Sequence, residues 1–240
     1  MTTVVSIMTA QELFQKIRAE GRRELTELEA KTVLEDYNIP VVKTQLATTA
    51  KEAVQIAADQ GYPIVLKIAS PDILHKIDAG GVRTFLETPT DVADAFTKII
   101  ENAKRYDPKA RIHGVTVQHQ IPRGVEIIVG GLKDPVFGAC VMFGMGGTWV
   151  EVMNDVSFRL APTTFVSAKE MMSEIKAYPL LTRYRGSEGV DIDGIADIIV
   201  KISKLMSENQ DITEIDVNPI FARVDSVIAV DARIVLEENA

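Results

Sequence analysis

The sequence has a single cysteine, Cys140, among its 240 residues. One thiol forms no intrachain disulfide and builds no thiolate metal cluster, which excludes both kinds of cross-link. No apolar run approaches the roughly 20 residues of a membrane-spanning helix. The first residues also lack the basic start and the apolar stretch of a signal peptide. These absences predict a cytoplasmic protein without a membrane partner.

Positive charge is in deficit as well. Lys and Arg number 26 against 34 Asp and Glu, and the formal net charge is −8. Proteins that bind duplex nucleic acid usually carry a basic stripe, and no such cluster occurs, so we expect no nucleic-acid partner. The chain is otherwise ordinary for a folded protein, with 46% apolar and 25% charged residues. Its length fits one large domain or two small ones.

Helix starts are visible in the sequence. Four segments show the capping-box pattern, in which Ser or Thr precedes Glu by three positions and apolar residues follow at helical spacing. They begin at Thr9, Thr26, Thr49 and Ser167. Apolar periodicity predicts two further helices, over Val92–Ala103 and Ile192–Met206.

Short β-type runs lie between these helices. They are Val41–Leu46, Ile64–Ile68, Val82–Leu86, Gly114–Gln118, Val125–Val129, Val136–Phe143, Ile212–Val217 and Val227–Asp231. Several are consecutive, around 114–143 and 212–231, which favours an α+β fold with antiparallel sheets over a doubly wound parallel sheet. Residues 106–111 form the predicted junction between two lobes.

A lysine lies in the apolar run Pro63-Ile-Val-Leu-Lys-Ile68. Lysine is seldom buried unless its ammonium group meets an anion. Lys67 therefore either points at a phosphate from a buried strand or lies on the solvent-facing side of an edge strand. The spacing leaves both interpretations open.

The segment at 70–81 is rich in turn-forming residues and ends in Gly80 and Gly81. Paired glycines permit a hinge or a close approach of the backbone to a ligand. On such a loop, His75 can serve as an acid or base, a metal ligand or a phosphoryl acceptor, oriented by a neighbouring aspartate. The alternative is a solvent-exposed histidine without a role.

Three oxygen-bearing side chains occur near the carboxyl end. Asp216 and Asn218 are two residues apart on a predicted strand, so they share a face, and Asp231 ends the following strand. If these strands pair antiparallel, the three groups converge and suit Mg²⁺ that also holds nucleotide phosphates. The alternative is that Asn218 and Pro219 mark a turn and nothing more.

A glycine-rich passage at 138–147 is neither a P-loop nor a dinucleotide fingerprint, because it has no Gly-Lys-Ser/Thr and Trp149 stands at the place of the third glycine. Its amides form either an anion-binding nest or a tight turn between strands.

Glu126 lies amid β-branched residues. It either points to solvent or accepts hydrogen bonds from a ribose.

In this order, the motifs resemble the ATP-grasp domain of the β subunits of ADP-forming acetyl-CoA synthetases, within the acyl-CoA synthetase superfamily. The resemblance extends from Leu25 to Arg233. The segments that carry it are 70–82, 134–138, 141–147, 155–162 and 216–219. It implies an α+β ATP-grasp fold whose two lobes hold a nucleotide between them.

The resemblance also implies a division of the chain. Residues 1–240 form a single ATP-grasp unit, in which a smaller lobe at 25–109 carries His75. Residues 1–24 and 110–240 form the second lobe, which carries the metal site.

Each candidate residue receives a role from the resemblance. Lys67 contacts the nucleotide phosphates, and Glu126 binds the ribose. His75 is a phosphohistidine on a loop that moves between the partner and the nucleotide site, and Asp216 steadies it. The remaining assignments are an adenine-reading hinge of Gln118, Gln120 and Ile121, Mg²⁺ ligation by Asn218 and Asp231, and neutralisation of the transferring phosphoryl group by Arg159.

The implied activity is phosphoryl transfer from His75 to ADP with Mg²⁺, which makes ATP as an acyl-CoA becomes free acid and CoA. A separate α subunit carries the CoA site and the first phosphohistidine, in an α2β2 heterotetramer. Two other hypotheses fit an ATP-grasp fold: a carboxylate–amine ligase, and a nucleotide-sensing module without catalysis. Neither accounts for a histidine on that loop.

Overall fold

The computed structural model describes residues 9–73, 75–147, 155–182 and 188–238. The α-helices in these ranges are α1 (Ala10–Ala19), α2 (Glu27–Asp36), α3 (Ala50–Gln60), α4 (Pro89–Tyr106), α5 (Phe165–Glu174) and α6 (Ile192–Glu208). The strands are β1 (Thr44–Ala47), β2 (Ile64–Ala69), β3 (Val82–Leu86), β4 (Gly114–His119), β5 (Val125–Asp134), β6 (Gly138–Met145), β7 (Val156–Leu160), β8 (Ile212–Ala222), β9 (Val227–Ala229) and β10 (Arg233–Leu236). Among the helices described, none is both long and apolar enough to cross a bilayer.

The described residues fall into two compact units. Those of the large unit lie within 1–25, 29–41 and 123–240, and those of the small unit lie within 26–28 and 42–122. All strand pairings in both units are antiparallel. The predicted α+β class with antiparallel sheets is therefore confirmed.

The observed boundaries differ from the predicted lobes. The chain continues in the small unit past residue 109, because β4 is hydrogen-bonded to both β1 and β2. Residues 29–41 belong to the large unit, because Ala30, Val33 and Leu34 of α2 are buried in its apolar core. Both differences come from contacts that are distant in sequence.

The small unit is built on a four-stranded sheet in the order β1-β4-β2-β3. β2 lies inside this sheet, and all six of its residues are buried. An apolar core that includes Ile64, Leu66, Ile68 and Ile99 joins the sheet to α3 and α4. Because side chains alternate along a strand, Lys67 points to the face of the sheet opposite to this core.

The large unit is built on a six-stranded sheet. Five strands follow the order β10-β8-β5-β6-β7, and β9 pairs with β8. Its core is formed with α1, α2, α5 and α6, and it includes the buried side chains of Phe14, Leu34, Met171 and Ile199. The two central strands, β8 and β5, are thereby held rigidly enough to position functional side chains.

Two predicted helix starts are confirmed by hydroxyl caps, Thr9 for α1 and Thr49 for α3. Thr9 caps α1 as predicted, with its hydroxyl accepting from Glu12 N at 3.3 Å while the Glu12 carboxylate accepts from Thr9 N at 2.8 Å. The start predicted at Ser167 is wrong. α5 begins at Phe165, and the hydroxyl of Thr164 caps it by accepting from Ser167 N at 3.2 Å.

Two strands lie outside the predicted runs, namely β7 and β10. Each stands at one end of the five-strand path in the large sheet. β7 is paired on one side only, and such an edge strand needs less regular apolar alternation than a central one. β10 is only four residues long, and it also hydrogen-bonds to residues 23–25 on the side away from β8.

The core of the large unit gives a prediction about stability. We expect Ile199→Ala to lower the free energy of unfolding by about 2–4 kcal/mol, because it deletes buried contacts and leaves a cavity. Urea denaturation measures the change. Lys204→Ala on the same helix is the control, since that side chain is 60% exposed, and its effect should stay within about 0.5 kcal/mol. Equal losses in both variants would contradict the assigned core.

Candidate functional site

Lys67 is buried in the small unit. Its Nζ donates to Oε1 of Glu27 at 2.7 Å, and the two side chains are only 7% and 3% exposed. β2 is paired on both sides, with Lys67 opposite Val82 on β3 and Thr116 on β4. The solvent-exposed edge-strand interpretation is therefore wrong. Charge compensation by a carboxylate is what makes a lysine at this position tolerable.

His75 lies exposed in a turn between β2 and β3. The backbone of the turn is closed by hydrogen bonds from Ala79 N to His75 O at 3.2 Å and from Gly81 N to Lys76 O at 2.8 Å. Gly81 has no room for a side chain, because a Cβ would lie 2.5 Å from Cγ2 of Ile68. The paired glycines therefore serve close packing under a turn that presents the histidine outwards.

Two polar contacts fix the ends of this segment. Before the histidine, the carboxylate of Asp72 accepts from Arg111 N and Arg111 Nη2, each at 2.7 Å. The Arg111 side chain lowers the pKa of Asp72 to about 2. After the histidine, Nδ2 of Asn102 donates to Gly80 O at 3.0 Å. Neither Arg111 nor Asn102 was predicted, because each is distant in sequence from the residue that it holds.

The predicted hinge residues lie on β4 and just after it. Gln118 is buried opposite Val65, so it shares a face of the sheet with Lys67, and its Oε1 accepts from Thr44 Oγ1 at 3.2 Å. Gln120 N donates to Pro63 O at 2.8 Å. Within the described part of the chain, the buried Oε1 of Gln120 has no hydrogen-bond partner. Ile121 follows it, half-buried.

In the large unit, the end of the glycine-rich passage lies against two predicted site residues. Gly146 N donates to the Glu126 carbonyl at 2.8 Å, and Gly147 N donates to Oδ1 of Asn218 at 3.0 Å. Gly147 has φ +64°, and a Cβ there would collide with the Glu126 carboxylate. Most of the passage is strand β6 and no tight turn, and Trp149 lies outside the described residues.

Asn218 lies within β8, which continues through Pro219 to Ala222. The interpretation of this dipeptide as nothing more than a turn is therefore wrong. β10 places Arg233 opposite Asp216, and β9 places Ala229 opposite Ile220.

The same register sets Asn218 opposite Asp231, and the hydrogen bond from Val230 N to Pro219 O at 3.0 Å maintains it. Asp231 was predicted to end the strand after β8, but it lies between β9 and β10, and the convergence of the three oxygen-bearing groups stays a prediction. Among the described residues, no three His, Cys, Asp or Glu side chains form a metal-binding group. The side chains of Asn218 and Asp231 bear oxygen atoms, the donor type that Mg²⁺ prefers, and their role as metal ligands stays a prediction.

Asp216 is the most perturbed carboxylate of the large unit's candidate residues. Burial, reinforced by Glu214 and Asp231 and opposed by Arg233, raises the pKa of Asp216 to about 6. Its Oδ1 is buried without a hydrogen-bond partner in the described ranges. Such a carboxylate accepts a proton or a cationic partner readily at neutral pH.

Arg159 lies on edge strand β7, where its Nη2 pairs with Oε1 of Glu174 at 2.5 Å and its Nε donates to Ser167 Oγ at 3.1 Å. The candidate residues thus divide between the two units. The small unit holds Lys67, His75, Gln118, Gln120 and Ile121, and the large unit holds Glu126, Arg159, Asp216, Asn218 and Asp231.

A family model of the ATP-grasp domain matches residues 16–236. The chain belongs to the ATP-grasp family. It is 49% identical to the β subunit of acetate–CoA ligase (ADP-forming) I of Pyrococcus furiosus, over 96% of this chain and 99% of that subunit. It is 44% identical to acetate–CoA ligase (ADP-forming) I of Archaeoglobus fulgidus, again over 96% of this chain but over 33% of that longer protein.

Solved structures agree with this assignment. Acetyl-coenzyme A synthetase 1 of Candidatus Korarchaeum cryptofilum, in complex with coenzyme A and Ca-AMPCP, matches with a TM-score of 0.93 and 46% identity over 95% of this chain and 100% of that one. The same enzyme in complex with coenzyme A and Mg-AMPPCP, its phosphohistidine segment pointing towards the nucleotide site, matches with a TM-score of 0.85 and 42% identity over the same shares. The predicted ATP-grasp fold is confirmed, whereas the roles of the individual residues stay predictions.

The raised pKa of Asp216 makes stability depend on pH. The unfolded chain releases this proton near pH 4, whereas the folded chain keeps it up to about pH 6. The folded state therefore binds more protons between these values, and the free energy of unfolding falls as pH rises through this window. Ionised Asp216 destabilises the ATP-grasp fold at neutral pH.

We expect Asp216→Asn to remove this penalty and to raise the free energy of unfolding at pH 8 by about 1–2 kcal/mol. Urea denaturation of both proteins from pH 4 to pH 8 measures it. The two curves should converge near pH 4, where Asp216 is protonated in both states. Parallel curves across the whole range would show that Asp216 ionises normally.

Proposed function

We propose that this chain is the nucleotide-binding β subunit of an ADP-forming acetyl-CoA synthetase, an acid–thiol ligase. Identity of 49% to such a subunit over nearly all of both chains supports the proposal. A separate α subunit completes the enzyme, because the longer relative contains a further two-thirds of sequence that this chain does not match. We extend the proposal to an α2β2 heterotetramer in the cytoplasm, where the substrates ADP and acyl-CoA are available.

The chemistry assigned to this chain is the last phosphoryl transfer. An acyl phosphate forms from acyl-CoA and phosphate on the α subunit and releases CoA, and its phosphoryl group passes through histidine to ADP. In the final step the N–P bond of phosphorylated His75 breaks, and a terminal oxygen of ADP forms the new O–P bond. The imidazole leaves with its electron pair, which suits it as a carrier because it is both a nucleophile and a leaving group at neutral pH.

Residues from both units bind the nucleotide in this proposal. Lys67 provides a buried ammonium group for the phosphates. The hinge residues Gln118, Gln120 and Ile121 bind the adenine. The Oε1 atom of Gln120, buried without a partner among the described residues, is suited to accept from an amino group. Glu126 binds the ribose, and Arg159 adds positive charge if it exchanges Glu174 for the phosphoryl group.

The donor set of Asn218 and Asp231 fits Mg²⁺. Both side chains offer oxygen, and the register of β8 with β9 and with β10 brings the intervening residue Asp231 opposite Asn218. Bound Mg²⁺ would neutralise charge on the nucleotide phosphates. Asp216 lies two residues along β8 from Asn218, and its partly protonated carboxylate is suited to accept from or donate to the imidazole of His75.

One observation carries the proposal: His75 is presented on an exposed turn whose two ends are fixed by Asp72 with Arg111 and by Asn102 with Gly80. A solvent-exposed histidine without a role needs no such fixation. The deciding experiment is phosphate labelling of the purified chain with Mg²⁺ and γ-labelled ATP, in parallel with His75→Ala. Nucleotide binding is measured on the same samples.

Acid-labile label that is lost in the variant is the expected result. It would identify His75 as the acceptor at the nucleotide site. Nucleotide binding without label, both alone and with the α subunit added, would overturn the carrier role and leave a nucleotide-binding ATP-grasp domain.

A further inference from the structure

The carboxylate of Glu27 lies between two ammonium groups of the small unit. Its Oε1 is 2.7 Å from Nζ of Lys67, and its Oε2 is 3.6 Å from Nζ of Lys76. Lys67 belongs to the rigid strand β2, whereas Lys76 directly follows His75 in the exposed turn. A single carboxylate therefore connects the lysine proposed to bind phosphates with the residue next to the proposed phosphoryl carrier.

Main-chain hydrogen bonds connect Lys76 to strand β2 through Gly81, so Lys76 is well placed to restrain the turn. Its carbonyl oxygen accepts from Gly81 N at 2.8 Å, and Gly81 is fixed in turn by Ile68 N, which donates to the Gly81 carbonyl at 2.7 Å. The neighbouring side chains differ sharply: Lys76 is 22% exposed, whereas Ile77 is 81% exposed. A restraint on the Lys76 side chain is thus transmitted to His75 through one peptide unit.

Charge also favours this arrangement for phosphoryl transfer. Both ammonium groups lie beside the one carboxylate of Glu27, so the turn brings a second cation close to the lysine proposed to bind phosphates. Glu27 keeps both lysines in place when no phosphate is present, because a carboxylate compensates buried positive charge.

We propose that Glu27 and Lys76 are positioning residues, which hold the His75 turn beside Lys67 so that the carrier is oriented for transfer to the nucleotide. This inference rests on the proposed function in assigning a carrier role to His75. The restraint itself is a property of the fold and is measurable without any catalysis.

Lys76→Met is the appropriate variant, because it removes the tether and leaves the Lys67–Glu27 pair intact. Glu27→Gln would disturb the buried pair as well, and the cost of burying the Lys67 charge would complicate its interpretation. Lys76→Arg restores the charge, and Asp78→Asn alters another charged residue of the same exposed turn as a matched control.

Amide hydrogen exchange of the full chain, followed over residues 75–79, tests the restraint. Loss of a partly buried ion pair should speed exchange by about threefold to tenfold in Lys76→Met. Lys76→Arg and Asp78→Asn should match the parent, and the amides of β10 should not change in any variant. Unchanged exchange at 75–79 in Lys76→Met would overturn the proposal.

Kinetics with the α subunit present test the consequence. Lys76→Met should lower kcat for ATP synthesis by about threefold to tenfold while KM for ADP stays unchanged, and Lys76→Arg should recover kcat. A raised KM for ADP with kcat retained would make Lys76 a nucleotide ligand and overturn its positioning role. The two proposals can fail separately. If amide exchange at 75–79 is faster in Lys76→Met but His75 takes no phosphate label, the proposed function is refuted and the restraint on the turn is retained.

Discussion

Replacement of His75 by alanine should abolish ATP synthesis coupled to acyl-CoA cleavage, with a loss of about 10³-fold or more. The reason is that the exposed turn offers no other imidazole, the group that is both a nucleophile and a leaving group at neutral pH. The affinity for ADP should stay within about threefold of the parent, because the Lys67–Glu27 pair and the buried strand β2 do not depend on the His75 side chain.

The measurement uses the chain assembled with its α subunit. ATP and free CoA are followed together, and ADP binding is measured by calorimetry on the same preparation. His113→Ala is the matched control, since His113 is another exposed histidine of the small unit and its backbone N–H, which donates to Ala69 O at 2.8 Å, is unaffected. That control should keep full turnover.

Retained turnover in His75→Ala would mean that the phosphoryl group passes to ADP directly from an acyl phosphate. Direct transfer between an acyl phosphate and ADP is the reverse of the first half-reaction of a carboxylate–amine ligase. In that case the fixed turn would have no catalytic purpose. Loss of ADP binding together with turnover would instead show that His75 supports the nucleotide site itself.

Much of the fold could be predicted because its signals are local. Thr9 and Glu12 form a capping box within one helical turn, and the predicted strand Ile64–Ile68 is one residue shorter than β2. The predicted strand Ile212–Val217 is confirmed as part of β8, which continues through Asn218 and a proline that would normally end a strand.

The parts that could not be predicted depend on contacts between distant residues. Glu27 is 40 positions from Lys67, and Arg111 is 39 positions from Asp72. A sequence pattern reports the next few residues along a helix or strand. These pairs are tertiary contacts instead, because Glu27 begins α2 and packs against β2, and Arg111 precedes β4, which pairs with β2. The same reason explains the shifted boundary of the small unit, since nothing within 110–122 reveals that β4 pairs with β1.

Arg159 shows the opposite case, in which a residue assigned by resemblance already has a partner. Its side chain is paired with Glu174 and Ser167, so any contact with a phosphoryl group requires exchange of that carboxylate. Asn218 and Asp231 are different, because each side-chain oxygen accepts from a backbone amide, that of Gly147 and that of Ala232 respectively. A carboxylate or amide oxygen has further lone pairs for a cation.

The second large effect is therefore expected at the proposed metal site. Asn218→Ala should lower kcat/KM for ATP synthesis by about 10²-fold and raise the Mg²⁺ concentration needed for half-maximal ADP binding by about tenfold or more. The reason is that the proposed site gives Mg²⁺ only the oxygens of Asn218 and Asp231, so loss of one of them removes a large share of the protein's ligands. Calorimetric titration of ADP at several Mg²⁺ concentrations measures the shift independently of turnover.

Asn218→Asp and Asp225→Asn make this prediction specific. Asn218→Asp keeps an oxygen that accepts from Gly147 N and offers a charge to the cation, so it should retain Mg²⁺-dependent binding, whereas Asn218→Ala loses it. Asp225 lies exposed between β8 and β9, and Asp225→Asn should leave the Mg²⁺ requirement unchanged. If Asn218→Asp and Asn218→Ala lose Mg²⁺-dependent binding equally, the amide supports the backbone at Gly147 and is no metal ligand. Asp231→Asn would then decide whether any cation is held at this point of the ladder.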